Sequence, residues 1–186
     1  HQVILRMLRA LTGIRLCLEG GGKVPLTDLD AALDFIKTFA DFAHHGKEED
    51  RLFPAMTAAG FPSDGGPIVV MLIEHRQGRD LVRALSTALE RVRAGEPAAL
   101  KDVANSAAGY ISLLSAHISK EDNILYPMAL DAIDAAGWKV MKEEFDRIER
   151  ERMGPARRVE YGALVDRLLA AYPAPELVMP SGGMCH

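Results

Sequence analysis

Four long stretches of the chain repeat apolar residues every three or four positions, which is the spacing of an amphipathic helix. They run over residues 1–19, 27–54, 67–93 and 97–127, and glycine or proline residues separate them. Short connections between long amphipathic helices favour antiparallel neighbours. The pattern therefore predicts an all-α protein whose residues 1–134 form an antiparallel up-down-up-down four-helix bundle.

Two further helical stretches follow the bundle. They cover residues 138–152, which are heavily charged, and residues 156–171; a proline-rich tail comes after them. We expect residues 135–186 to form a C-terminal extension of extra helices and an irregular tail that packs on the bundle.

Composition and charge exclude several classes of function. The net charge is −4 and the pI is near 5.9, so no basic field would attract nucleic acid or an anionic membrane. The longest apolar run, Ile68–Ile73, is too short to cross a bilayer. Cys17 and Cys185 do not make a disulfide framework, so we expect a soluble, cytoplasmic protein. The sequence opens on His1 without a methionine, and we expect it to begin inside a longer chain.

The chemistry is carried by a repeated segment. His44 to Pro54 reads HHGKEEDRLFP, and His117 to Pro127 reads HISKEDNILYP. In both, a histidine precedes a glutamate by four residues, which places the two side chains on one face of a helix. The proline at the end of each segment is expected to end or kink its helix.

The other internal histidines follow the same spacing. His1 precedes His44 by 43 residues, and His75 precedes His117 by 42 residues. Two helical hairpins related by a pseudo-twofold axis would therefore gather four histidines and two glutamates at one point. The predicted metal ligands are His1, His44, Glu48, His75, His117 and Glu121.

This set of ligands suits particular metals. Neutral imidazole and carboxylate bind iron, manganese and zinc, whereas the lack of cysteine argues against a structural zinc or an iron–sulfur centre. Glu48 and Glu121 could bridge two cations about 3.5–4 Å apart. Such a pair leaves coordination positions open for oxygen, peroxide or nitric oxide.

These motifs resemble the hemerythrin-like, or HHE cation-binding, domains. HHGKEEDRLFP is similar to the second-helix motif of that family, Glu74-His75 to the third, HISKED with the following LYP to the fourth, and HQVILRML to the end of the first. The resemblance covers roughly residues 1–130. It implies a four-helix bundle with two iron ions, oxo- or hydroxo-bridged, on the six ligands above; manganese or mixed occupancy would use the same ligands.

One departure bears on function. Oxygen-carrying hemerythrins have an extra histidine one turn from the third-helix ligand, whereas Arg79 and Met71 stand four residues after and before His75 here. Four histidines and two glutamates therefore weaken the case for reversible oxygen transport. The resemblance implies a non-haem di-iron protein that binds, senses or turns over a small oxidant such as oxygen, peroxide or nitric oxide. Whether it is an enzyme stays open.

Two other functional hypotheses remain. A non-catalytic iron sensor or carrier, or an iron–sulfur repair protein, would act through a protein partner. A ferritin-like carboxylate oxidase is disfavoured, because that class carries Glu-x-x-His and no glutamate precedes a histidine by three residues here.

Some residues near the motifs have competing interpretations. His45 with Glu49 has the same spacing as His44 with Glu48, but Ile118 at the position equivalent to His45 favours His44. Glu49 is either a solvated charge or a carboxylate that coordinates the metal or supports a ligand histidine. Glu74 is expected to be a surface carboxylate or a neighbour of the ligands. Core packing is the favoured interpretation of Phe53, Tyr126 and Tyr110, with the Tyr110 hydroxyl at the surface.

Overall fold

The computed structural model describes residues 1–177, and every regular element in that range is a helix. The all-α prediction is therefore confirmed. The helices are α1 (Gln2–Glu19), α2 (residues 26–58), α3 (Gly66–Arg93), α4 (residues 100–132), α5 (Ala135–Arg152) and α6 (Pro155–Ala171). Residues 173–177 have no regular structure, while Cys185 and the rest of the predicted tail lie outside the described residues.

Helices α2 and α4 change their turn along their length. In α2, the π-helical segments Ile36–His45 and Glu48–Leu52 lie between the α-helical ends Leu26–Phe35 and Phe53–Ala58. In α4, the π-helical segment Glu121–Leu125 joins Leu100–Lys120 to Tyr126–Ala132. The two segments of the sequence repeat therefore share one backbone irregularity.

The repeated prolines do not end their helices, contrary to one of the two outcomes expected. The Phe53 amide donates to the Glu48 carbonyl, five residues back, just before Pro54. The Tyr126 amide does the same with Glu121, just before Pro127. Because a proline ring clashes with the carbonyl four residues earlier in an α-helix, a wider turn makes room for the ring. Both helices therefore continue past their prolines.

The helices pack in a way that joins the two predicted parts of the chain. Helix α3 packs along α4, α4 packs along α1, and α2 contacts α3. Helix α5 packs on the π-helical part of α2, and α6 packs on α1 and α2. Within residues 1–177, no helix combines the length and apolar character needed to cross a membrane.

The buried apolar side chains form two clusters. Ile36 of α2 and Leu114 of α4 belong to the larger cluster. Leu52 of α2 and Leu125 of α4 belong to the smaller one. The predicted ligands of both helices come between these residues in the sequence, so the polar site separates two apolar regions.

The end of α6 is attached to α1 and α2 by specific contacts. Asp28 is buried and accepts hydrogen bonds from Arg167 Nη1 at 2.8 Å and Tyr172 Oη at 2.7 Å. Burial opposes ionisation of Asp28, but these two donors outweigh it and lower its pKa. The backbone of Tyr172 lies so close to α1 that a Cβ atom at Gly13 would overlap its carbonyl.

Candidate metal centre

The structure brings all six predicted ligands together in the interior. One group, whose ligand atoms lie within 4.8 Å of one another, contains His1, His44, Glu48 and Glu121. A second such group contains Glu48, His75, His117 and Glu121. The two carboxylates thus belong to both groups, as a pair of bridging ligands would.

The helical pairs of the repeat have the geometry that their spacing predicts. His117 Nε2 lies 3.2 Å from Glu121 Oε1, and His44 Nε2 lies 4.0 Å from Glu48 Oε1. Glu121 has no exposed surface, and Glu48 is 2% exposed. Two carboxylates buried to this degree are costly unless a positive charge balances them.

A fifth histidine, His45, also belongs to the cluster. His45, His75 and His117 form a third group of close ligand atoms, and the His45 ring stacks on His75 with centroids 3.9 Å apart. The repeat spacing offers His45 only as an alternative to His44, whereas the structure brings both side chains to the cluster. Both residues lie in a π-helical segment. Because a wider turn reduces the angle between successive side chains, neighbours in sequence can face the same site.

Four of the five imidazoles contact a carboxylate through Nδ1. A carboxylate that accepts from Nδ1–H fixes the ring orientation and leaves Nε2 as the free ligand atom. The pairs are His1 with Asp122 at 2.6 Å, His75 with Glu49 at 2.6 Å, His117 with Glu74 at 2.9 Å and His45 with Asp41 at 3.3 Å. Glu49 therefore contacts a histidine of the cluster, as one of its two interpretations expected. Glu74 is more than a surface carboxylate, because it contacts a buried histidine directly.

Arg79 lies one turn after His75 on α3 and is one of the two positions, with Met71, where the sequence lacks a further histidine. Its guanidinium donates to Asp41 Oδ1 at 2.9 Å and to Glu49 Oε1 at 2.8 Å. Burial opposes ionisation of Asp41, but hydrogen bonds from His45 and Arg79 lower its pKa to about 2. Burial likewise opposes ionisation of Glu49, and hydrogen bonds from His75 and Arg79 lower its pKa. Arg79 thus keeps the two carboxylates charged and close to the histidines that they orient.

The inward-facing atoms of the cluster fit a cation. His1 Nε2 lies 3.2 Å from His44 Nε2, and His75 Nε2 lies 3.1 Å from His117 Nε2. Each such pair can share only one proton, so a lone pair on the other nitrogen faces the cluster. The side-chain atoms His45 Nε2, Glu48 Oε2, Glu121 Oε1 and Glu121 Oε2 are buried without a hydrogen-bond partner. Unsatisfied acceptors that converge in this way are stabilised by metal ions.

The pKa values of the clustered histidines are shifted in opposite directions. Burial opposes a charge on His117, but the carboxylates of Glu121 and Glu74, which lie beside its two ring nitrogens, outweigh it and raise its pKa to about 9. Burial lowers the pKa of His44 to about 3, and the neighbouring imidazoles add to that effect. Without a metal, protons on His117 therefore balance part of the carboxylate charge. Metal binding must displace these protons.

The two tyrosines differ from their predicted roles. The Tyr126 hydroxyl donates to Glu48 Oε1 at 2.5 Å and lies 3.2 Å from His1 Nε2, so it faces the cluster instead of only packing. Burial, followed by the charge of Glu48, raises the pKa of Tyr126 and keeps it a neutral phenol. The Tyr110 hydroxyl is buried without a hydrogen-bond partner, whereas a surface position was expected.

Comparisons with known proteins agree with the motifs. An uncharacterized protein of Mycobacterium tuberculosis is 29% identical over 157 residues, which cover 84% of this chain and 60% of that protein. The iron-sulfur cluster repair protein YtfE of Salmonella schwarzengrund is 36% identical over 90 residues, 47% of this chain and 41% of that protein. The chain thus spans 60% or less of the length of these relatives, and no solved structure matches it. The Hemerythrin HHE cation binding domain model matches residues 1–129, so the chain belongs to the hemerythrin HHE cation-binding domain family.

Proposed function

We propose that the cluster binds two metal ions, with iron as the metal, and that this pair binds, senses or turns over a small oxidant. The observation that carries the proposal is the convergence of two buried carboxylates and five imidazoles, among whose inward atoms His45 Nε2, Glu48 Oε2 and both Glu121 oxygens have no hydrogen-bond partner. A single cation would leave part of that set unsatisfied. The oxo or hydroxo bridge, and manganese or mixed occupancy, stay predictions from the resemblance.

The grouping of ligand atoms supports a division between the two ions. His1 and His44 would hold one ion, and His45, His75 and His117 would hold the other. Glu48 and Glu121 occur with His1 and His44 in one group and with His75 and His117 in another, so they would bridge the ions. With fewer imidazoles, the ion at His1 and His44 has more coordination positions left for an oxidant.

The side chains around the cluster would prepare it for that role. When bound, iron would supply the open coordination positions and the electrons that a small oxidant needs. The carboxylates on Nδ1 keep the Nε2 atoms turned inward, towards the position that the ions would take. The Tyr126 phenol stays protonated beside Glu48 and His1, so it can donate a hydrogen bond to a polar molecule at that end.

A second candidate function is iron–sulfur repair or iron delivery through a protein partner. It is favoured by the similarity to the iron-sulfur cluster repair protein YtfE. In that case the metal pair would serve as a source or acceptor of iron or of nitric oxide, and the C-terminal helices would offer a surface for the partner. A cytoplasmic location, drawn from the cysteine content, fits both candidates.

We also propose the architecture behind this site. Helices α1 to α4 would form the up-down-up-down bundle, residues 1–134, and residues 135–186 an extension that packs on it. The packing of α4 on α1 and α3, and of α5 on α2, supports this division.

Metal analysis combined with an optical spectrum tests the proposal directly. The purified chain, loaded with ferrous iron and then exposed to air, should hold two irons and absorb in the near ultraviolet and visible. Glu90→Gln, an exposed position on α3, serves as the surface control and should match the wild type. A folded protein that binds one ion or none after loading would overturn the two-ion proposal. Nitric oxide or hydrogen peroxide that leaves the spectrum of the loaded protein unchanged would overturn the oxidant-binding role.

A further inference from the structure

A cavity of about 410 Å³ lies beside the metal centre, where α2, the end of α4 and α5 meet. The polar residues of its lining include His44, Glu48 and Tyr126. The apolar residues of its lining include Leu130, Trp138 and Phe145. The C-terminal extension thus supplies part of a chamber that touches the proposed metal ligands.

The size of this cavity exceeds what a diatomic oxidant needs. A water molecule takes a share of about 30 Å³ in the liquid, and oxygen, nitric oxide and hydrogen peroxide are of similar size. Pockets for small organic molecules span roughly 300–1,000 Å³ and combine apolar walls with a few polar groups. The cavity therefore matches an organic ligand in volume and in lining.

The side chains that line the cavity offer no free positive charge to an anionic ligand. Lys47 lines it, but its ammonium forms an ion pair with Glu149 of α5. Glu48 carries a carboxylate whose Oε1 already accepts from Tyr126. An anionic ligand would therefore meet no unpaired cationic side chain in the lining and would depend on the proposed metal ions alone for a balancing charge.

We propose that this cavity binds a small neutral organic molecule with one oxygen-bearing end. The chemical class of that molecule is the organic hydroperoxides. The oxygen end would lie beside His44 and Glu48, and the apolar body against Trp138 and Phe145. The orientation of the oxygen end rests on the proposed function, because the metal held by His44 and Glu48 is what that end would reach. The apolar lining of the cavity does not depend on the proposed metal.

The chain provides its own probe for the test. Trp138 is its single tryptophan, so its fluorescence reports on this cavity alone. The iron-loaded protein is titrated with 2-phenyl-2-propanol, an unreactive alcohol with the body of cumene hydroperoxide. We expect a saturable change in emission and a weaker response to isopropylbenzene, which has the same body without the oxygen. A response that rises linearly, or equal affinity for both compounds, would overturn the proposal.

A pair of variants separates the cavity from non-specific binding. Leu130→Glu places a carboxylate at the apolar wall, and Leu130 is 62% exposed, so the fold should tolerate the change. Because binding would desolvate that charge, affinity for the alcohol should fall about tenfold or more. Val159→Glu is the matched control, since Val159 is 74% exposed on α6 and outside the cavity lining, and affinity should not change. Equal losses in both variants would contradict the proposed site.

The iron content of the same samples keeps the two proposals apart. Two irons without saturable alcohol binding would reject the cavity ligand and leave the metal proposal standing. Saturable binding to a chain that holds no iron would reject the metal proposal and support the apolar site. A calorimetric titration of the same samples checks that the fluorescence change reflects binding.

Discussion

His75 Nδ1 lies 2.6 Å from Glu49 Oε1, while His75 Nε2 faces the buried Glu48 carboxylate at 3.5 Å. One imidazole thus connects an inner carboxylate to an outer one. Arg79 extends this chain by pairing with Glu49. The relationship makes the orientation of a proposed metal ligand depend on two residues that do not reach the metal.

Removing the outer carboxylate should weaken metal binding without abolishing it. In Glu49→Gln, the amide can still contact His75 but no longer favours a basic Nε2, so iron affinity should fall roughly 10- to 100-fold. Competition with a chelator measures the change, and Glu74→Gln tests the same effect through His117. Glu90→Gln is the surface control. Unchanged affinity in both variants would remove the supporting role assigned to these carboxylates.

Bridging and terminal ligands should differ in how many ions their loss releases. Glu121 belongs to the group of His1 and His44 and also to the group of Glu48, His75 and His117, whereas His44 belongs only to the first of these. Glu121→Gln should therefore reduce the iron content from two ions to fewer than one, and His44→Asn should leave about one. Metal analysis after gel filtration distinguishes these results. Loss of a single ion from Glu121→Gln would show that this carboxylate is not shared.

His45 should act as a ligand of only one ion. It shares a group with His75 and His117, so His45→Asn should weaken the ion held there and spare the ion at His1 and His44. We expect one tightly held iron, one that a chelator removes readily, and a changed optical spectrum. Thermal unfolding of the metal-free variant checks that packing is preserved. A variant with the iron occupancy and optical spectrum of the wild type would show that His45 is not a ligand and that four histidines bind the ions.

The close approach of α1 to the end of α6 should make Gly13 intolerant of a side chain. A Cβ atom there overlaps the Tyr172 carbonyl, so Gly13→Ala should reduce the free energy of unfolding by roughly 1–3 kcal/mol. Gly162→Ala is the matched control, because nothing lies within 4 Å of a Cβ atom at that position. That control should gain up to about 1 kcal/mol from helix propensity. Denaturant unfolding of both metal-free variants measures the difference, and similar values would contradict the contact.

Asp28 should make stability depend on acid pH. Its pKa is lowered in the folded protein, so its contribution is full above the ordinary value of 3.8 and disappears as the pH falls through the lower folded value. Asp28→Asn should lower the free energy of unfolding by about 1–2 kcal/mol at neutral pH. The loss is limited to this range because Arg167 is partly exposed and solvent screens the pair. The difference in free energy of unfolding between the wild type and Asp28→Asn should then become smaller below about pH 4. A difference that stays constant down to pH 2 would indicate that the charge of Asp28 does not contribute.

The sequence by itself determined the helices and which histidines and glutamates would lie close together. Apolar spacing predicted the helical stretches, and the repeat assigned His44 with Glu48 and His117 with Glu121. This was achievable because both signals are local, since an i,i+4 pair faces one way whatever surrounds its helix. The two single histidines followed from the spacing between the halves. The family could be recognised from the same motifs.

Only the tertiary structure decided what surrounds those ligands. The contact of Glu74 with His117, and that of Tyr126 with Glu48, depends on how neighbouring helices are rotated, which a residue pattern does not specify. The inclusion of His45 depends on the π-helical turns of α2, because a wider turn changes the direction of every side chain within it. The cavity beside the centre exists only where α5 lies over α2. The inner ligands were therefore readable from local spacing, whereas their partners and their access to ligands arise from packing between distant segments.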